Sequence, residues 1–163
     1  MSSSQDTNDN QEGFLIGALL LISADELRRR VHEGYHAAGF TDLRLAHHPV
    51  FGLLSPDGDR IVDLANKART TKQAMGYLVD YLEKHGYLER TPDPDDGRSQ
   101  IITRTEKGWQ VNRLARQLVQ EIQDDWAEEL GQERMTQLIT ILRDLVKIIG
   151  QDYEGSISQR SRD

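Results

Sequence analysis

Thr71-Lys72-Gln73-Ala74-Met75-Gly76-Tyr77-Leu78-Val79-Asp80-Tyr81-Leu82 opens the stretch whose reading decides the fold, and it continues through Gly86 into a hairpin ending near Arg104. Met75, Leu78, Val79 and Leu82 recur at three- and four-residue spacing, so they share one face of a helix. Lys72, Gln73, Gly76, Tyr77 and Asp80 are left on the other. Gly86 falls just past the last apolar position, where a left-handed residue ends a helix. Tyr87-Leu88-Glu89-Arg90 and Gln100-Ile101-Ile102-Thr103 then read as paired strands about an Asp93-Pro94-Asp95-Asp96-Gly97-Arg98 tip. A helix followed by such a wing makes the polar helix face a candidate for reading bases in a DNA groove.

Working toward the N-terminus, Arg69-Thr70 joins this helix to a short one carrying Ile61, Leu64 and Ala65, and Ser55-Pro56-Asp57-Gly58-Asp59 is a turn. Thr41 is placed to cap a further helix reaching Leu53 or Leu54, with Pro49 expected to kink it or delay its start. A long first helix is expected from Phe14 to Ala38, with Leu20, Leu27, Val31 and Tyr35 as its stripe and Gly39 as its stop. Its first third is apolar all round, and a partner subunit is a natural cover. Beyond the hairpin, Val111, Leu114 or Ala115, Leu118, Ile122 and Trp126 form one helical stripe, Gly131 interrupts it, and Met135, Leu138, Leu142, Leu145 and Ile149 form a second seam. The sequence therefore predicts a mainly α fold with a small β wing: a winged helix-turn-helix domain at 40–104, helical dimerisation segments at 13–39 and 105–150, and flexible tails at 1–12 and 151–163.

Four landmarks, Thr71 to Gly76, Leu82 to Tyr87, Asp93 to Arg98 and Thr105-Glu106-Lys107-Gly108, fall in the order found in MarR-type bacterial transcription regulators, which this chain resembles from about Phe40 to Gly108. The resemblance implies a homodimer that binds a palindromic operator in double-stranded DNA, most often as a repressor released by a small molecule. It also implies that the aspartate matching Asp96 orients the arginine matching Arg98, and an Asp two residues before an Arg has the reach to clamp its guanidinium. Arg98 so aimed suits a narrow minor groove. In the reading helix, Thr70 or Thr71 caps the start, Lys72 and Gln73 occupy the first turn with donors for guanine and adenine, Gly76 permits close approach, and Tyr77 reaches a phosphate or a thymine methyl. The acidic residues of the tip are also plain turn formers that need no function.

The family commonly binds phenolic or other small apolar anions, and Tyr35, His47 and Phe51 are the candidate lining of such a pocket. His32 and His36 stand one helical turn apart, with Glu33 beside them and His47-His48 on the next helix, so a zinc-responsive regulator is an alternative. Another is a winged helix that contacts protein instead of DNA. No metal or other cofactor is expected, and Trp109 and Trp126 read as packing residues.

Composition bounds these readings. The 163 residues suit one domain, and the formal charge of −7 argues against a generally adhesive nucleic-acid coat. Charge is segregated, however: residues 1–66 carry 5 basic and 10 acidic side chains, 67–104 carry 7 and 6, and 105–163 carry 8 and 11. The reading segment is the one net-positive third. The absence of cysteine excludes disulfides and thiol redox sensing. Phe14 to Ile22 is too short to span a bilayer and lacks a basic preceding region, which leads to the expectation of a cytoplasmic protein without membrane contact. No phosphate loop or nucleophile motif is present, so catalysis is not expected.

Overall fold

The computed structural model describes residues 15–150. The tails expected at 1–12 and 151–163, and Gly13 and Phe14 of the first helical segment, lie outside the described residues. Helix α1 spans Ile16–Ala37; a 3-10 turn at Leu45–His47 leads into α2, His48–Leu53; β1 is Asp59–Arg60; α3 is Ile61–Lys67; α4 is Lys72–Lys84; β2 and β3 are Leu88–Pro92 and Gln100–Arg104; α5 and α6 are Glu106–Leu130 and Gln132–Ile149. The three strands form one antiparallel sheet in the order β1-β3-β2. Mostly helical with a small wing, the chain has the expected fold class.

Helix α4 follows from its stripe. Met75, Val79 and Leu82 are fully buried, each worth about 2 kcal/mol of apolar burial, and Leu78 is partly covered at the edge of the same core. The Thr71 side chain accepts a hydrogen bond from the Ala74 N–H at 3.1 Å, which caps the helix, so the cap is Thr71 and not Thr70. At the other end Gly86 takes φ +76°, and the Tyr87 N–H returns to the Leu82 carbonyl at 2.8 Å. Gly131, at φ +93°, separates α5 from α6. These left-handed residues end helices where the pattern placed the breaks.

Two expectations are corrected. Thr41 caps no helix: residues 38–44 make a turn, and α2 begins at His48 with Pro49 in its first turn, the position where a missing N–H costs nothing. Pro49 thus delays the helix and does not kink it. The wing also has a third strand, because Asp59 and Arg60 leave the 55–59 turn extended and pair with Ile102 and Ile101 of β3.

One apolar cluster joins the helices α1 to α5 and the wing hairpin, running from Val31 and Tyr35 of α1 through Phe51, Leu64, Val79, Tyr87 and Ile102 to Val111 and Ile122 of α5. Arg104 ties it at the wing base. Its buried guanidinium donates to the carbonyls of Phe51 (2.9 Å), Leu54 (2.7 Å) and Ser55 (3.1 Å), satisfying the free carbonyl end of α2, and lies 4.8 Å from the Trp109 ring. Trp126 packs at the edge of the core, in keeping with its reading as a packing residue. By contrast Leu15, Ile16, Leu19, Leu21 and Ile22 of the α1 end, and Ile141, Ile148 and Ile149 of α6, are exposed.

Candidate nucleic-acid interface

Helices α3 and α4 meet across Ala68-Arg69-Thr70, where Arg69 takes φ +51° and the Thr70 N–H bonds the Ala65 carbonyl at 3.0 Å. A left-handed arginine costs roughly 1 kcal/mol, a strain that tends to persist where a tight turn must aim the next helix. Thr70, Thr71, Lys72 and Gln73 are exposed around the open end of α4. Tyr77, 67% exposed, stands on the same face one turn on, and the Gln73 amide donates to its hydroxyl at 3.4 Å. Gly76 differs from expectation. A Cβ there would lie 3.7 Å from Ile61 of α3, so the residue faces the α3–α4 seam and not the outer surface.

The wing loop, residues 93–99, is built around two aspartates. Asp96 does not clamp the Arg98 guanidinium: its carboxylate accepts from the Arg98 backbone N–H at 3.1 Å and the Ser99 hydroxyl at 2.9 Å. Two residues of backbone bring the Arg98 N–H to Asp96 first, so the carboxylate shapes the turn and leaves the side chain unheld. The Arg98 side chain projects into solvent. Asp93, with only 4% exposure, is the buried carboxylate; it accepts from the Asp95 N–H at 2.9 Å and from Arg60 at 2.6 Å. Those partners, the Asp95 N–H first and then the Arg60 guanidinium, hold it below the usual carboxylate range.

Between the start of α4 and the wing lies a groove of about 540 Å³ whose walls include Arg60, Lys72, Arg90, Arg98, Ser99 and Gln100. Four cations in one groove suit a polyanion. Two are neutralised within the molecule: Arg60 by Asp93, and Arg90 by Asp80 (2.6 Å) and Glu83. Lys72 and Arg98 have no ion pair among the described residues, so the groove offers their charges to a ligand. The lone α4 pattern and the tip motif brought Lys72 and Arg98 forward, whereas Arg60 and Arg90 were missed, since only the three-stranded sheet brings them beside α4.

The other candidates lie elsewhere. Tyr35, His47 and Phe51 are core residues, each no more than 3% exposed. His47 stacks on Tyr81 at 4.6 Å and accepts from the Arg44 N–H at 3.0 Å; Phe51 packs edge-on against Tyr87. They fill space instead of lining an opening. His32, His36 and His48 gather between α1 and α2, with ring centroids 4.5 Å apart for the first pair and 5.7 Å for His32 and His48. Among the described residues no three His, Asp or Glu side chains are arranged to hold a metal ion.

His48 titrates against the fold. Burial pushes its imidazole down to about 4, with His32, Arg28 and His47 adding repulsion. Above pH 6.5, the ordinary value, the ring is neutral folded or unfolded and stability is complete. As pH falls from 6.5 toward 4, the unfolded chain takes up a proton that the folded chain refuses, so stability declines. For this partly solvated ring the loss is about 1–2 kcal/mol by pH 4.5. Urea midpoints measured from pH 7.5 to 4.5 are expected to fall more steeply for the native chain than for His48→Gln; equal slopes would remove His48 from the account.

Comparison with known proteins agrees with this geometry. The MarR family model matches residues 41–99, which hold the helix-turn-helix, β2 and the wing loop but not β3. The structure of wild-type apo MarR from E. coli superposes with a TM-score of 0.65 at 20% identity, covering 83% of this chain and 99% of that one. CouR from Rhodococcus jostii RHA1 bound to p-coumaroyl-CoA gives 0.63 at 25% identity, covering 87% and 95%. The transcriptional repressor CouR bound to a 23-mer DNA duplex gives 0.64 at 20%, covering 86% and 99%. No curated protein matches the chain by sequence. The chain thus has the winged helix-turn-helix fold of these proteins, and its residues 41–99 are similar to the MarR family. No helix among the described residues is long and apolar enough to cross a membrane.

Proposed function

We propose that this chain is a sequence-specific DNA-binding regulator that works as a homodimer, represses transcription and is relieved by a small-molecule ligand. The observation that carries the DNA reading is the groove between α4 and the wing, which Lys72 and Arg98 line with charge that has no ion pair among the described residues, while Gln73 and Tyr77 are exposed on α4. On this reading the open end of α4 enters the major groove, Gln73 and Lys72 meet base edges, Thr70 and Thr71 sit by a phosphate, and Arg98 enters the adjacent minor groove. Asp96 serves by shaping the loop that presents Arg98. A second copy related by a two-fold axis would present two such reading surfaces, and the exposed apolar ends of α1 and α6 support that copy as their cover.

Repression rests on the family. Relief by a ligand has support in CouR, which binds p-coumaroyl-CoA. A ligand entering beside Tyr35, His47 and Phe51 in this chain must part packed rings, so relief would act by favouring an arrangement with α1 and α2 drawn apart. The test is selection of binding sites from random duplex DNA by the full chain. The expected product is a palindrome with half-sites about 10 bp apart, one for each reading helix. Recovery of no enriched duplex would end the DNA reading and favour the protein-contacting alternative.

A further inference from the structure

From the chain of bonds that links the wing tip to the helix-turn-helix, we infer that Arg60 and Asp93 are positioning residues that aim Arg98 into the DNA. The inference rests on the DNA reading above and specifies how its wing works. Asp93 is the first residue of the loop and its hub. Its N–H closes the loop on the Ser99 carbonyl at 3.0 Å, its side chain accepts from the Asp95 N–H, and its carbonyl accepts from the Asp96 N–H at 3.3 Å. Asp96 in turn holds the Arg98 N–H and the Ser99 hydroxyl. Every link from Asp93 to Arg98 is therefore internal to the loop, and without an outside anchor the tip would pivot on the two strands.

Arg60 is that anchor. It is the last residue of β1 and the N-cap position of α3, and its guanidinium meets one Asp93 oxygen through two nitrogens, at 2.6 and 2.5 Å. The other Asp93 oxygen is taken by Asp95, so the carboxylate is fully used. Arg60 thereby fixes the loop to the helix that packs against α4, and the separation of Arg98 from the reading helix becomes a property of the free protein. Arg60 is half-exposed in the same groove as Lys72, but its charge is matched by a carboxylate only 3% exposed. Its contribution then passes through Asp93 to the backbone that carries Arg98, since an arginine on a fixed loop binds without the entropy loss of ordering a mobile tip.

Coupling between residues separates positioning from a general structural role. Full-length Asp93→Asn, Arg60→Gln, Arg98→Ala and the pairwise doubles are titrated against a duplex that the native chain has selected. Asp93→Asn and Arg60→Gln are each expected to weaken binding roughly 10-fold, and Arg98→Ala about 10- to 100-fold. Asp93→Asn in the Arg98→Ala background should cost less than about 3-fold, because an absent arginine needs no aiming. Arg60→Gln/Asp93→Asn should bind no worse than either single variant. Urea midpoints, by contrast, should shift additively for Asp93→Asn and Arg98→Ala, so a loss of stability alone does not reproduce the coupling. Losses in affinity that multiply, or Asp93→Asn binding within 2-fold of the native chain, would overturn the inference while leaving the DNA reading intact. A native chain that selects no duplex overturns both.

Discussion

Replacing Lys72 and Arg98 together by alanine is expected to weaken binding to the selected duplex by about 2–5 kcal/mol at fixed salt, a loss of roughly 30- to several thousand-fold. Both side chains are exposed, and neither has an ion pair among the described residues, so their removal strips charge from the groove without leaving a buried partner behind. Arg60 and Arg90 cannot replace them, being held by Asp93 and by Asp80 and Glu83. In a dimer four charges are lost, and the slope of log K against log salt should become shallower by about 3 to 4, at roughly 0.9 for each phosphate contact. The urea midpoint and the mass in solution should not change, because neither residue packs in the core. Fluorescence anisotropy across a salt series measures both quantities. Unaltered affinity would mean that the duplex is held by another face of the molecule.

How much of this was legible in the sequence depends on the range of the interaction. Elements defined by their own periodicity were readable: the Met75, Val79 and Leu82 stripe gave α4, Gly86 its end, Gly131 the break between α5 and α6, and the strand pair its hairpin. Pairing at a distance was not. Asp59-Arg60 has no strand pattern in two residues, and only the opposing Ile101 and Ile102 make it a strand. Its consequence for the interface is large, since it brings Arg60 to Asp93. The same limit explains why Asp96 was assigned the clamp. Sequence spacing shows which side chains are within reach, but not that the Arg98 backbone N–H would satisfy Asp96 first, or that the buried aspartate would be Asp93. Likewise, Tyr35, His47 and Phe51 looked like the wall of a pocket because aromatic residues suit both a pocket and a core, and only their packing decides between the two.

Gly108→Ala is expected to destabilise the chain by about 3 kcal/mol, a large effect for a single methyl group. The cause is a backbone contact. Gly108 lies in the first turn of α5, where the Thr105 side chain caps the helix by accepting from the Gly108 N–H at 3.1 Å. The same turn rests on the chain leaving Gly86: the Thr105 N–H donates to the Tyr87 carbonyl at 3.1 Å, and the Thr105 hydroxyl donates to the Gly86 carbonyl at 2.6 Å. A Cβ on residue 108 would stand 2.1 Å from the Tyr87 carbonyl oxygen and 3.2 Å from Arg104 Cβ. Main chain cannot turn aside as a flexible side chain can, so α5 must lift away from the wing base. That movement strains the Arg104 bonds to α2 and the Thr105 bonds together, and because α5 joins the reading domain to the C-terminal helix, it also changes how α4 is carried. Loss of DNA affinity should accompany loss of stability. Gly17→Ala in α1 is the control, since no atom lies within 4 Å of its added Cβ, and it should melt with the native chain or slightly above it. A Gly108→Ala protein that melts with the native chain would show that the α5 start can shift freely against β2, and that this junction does not fix the angle between wing and scaffold.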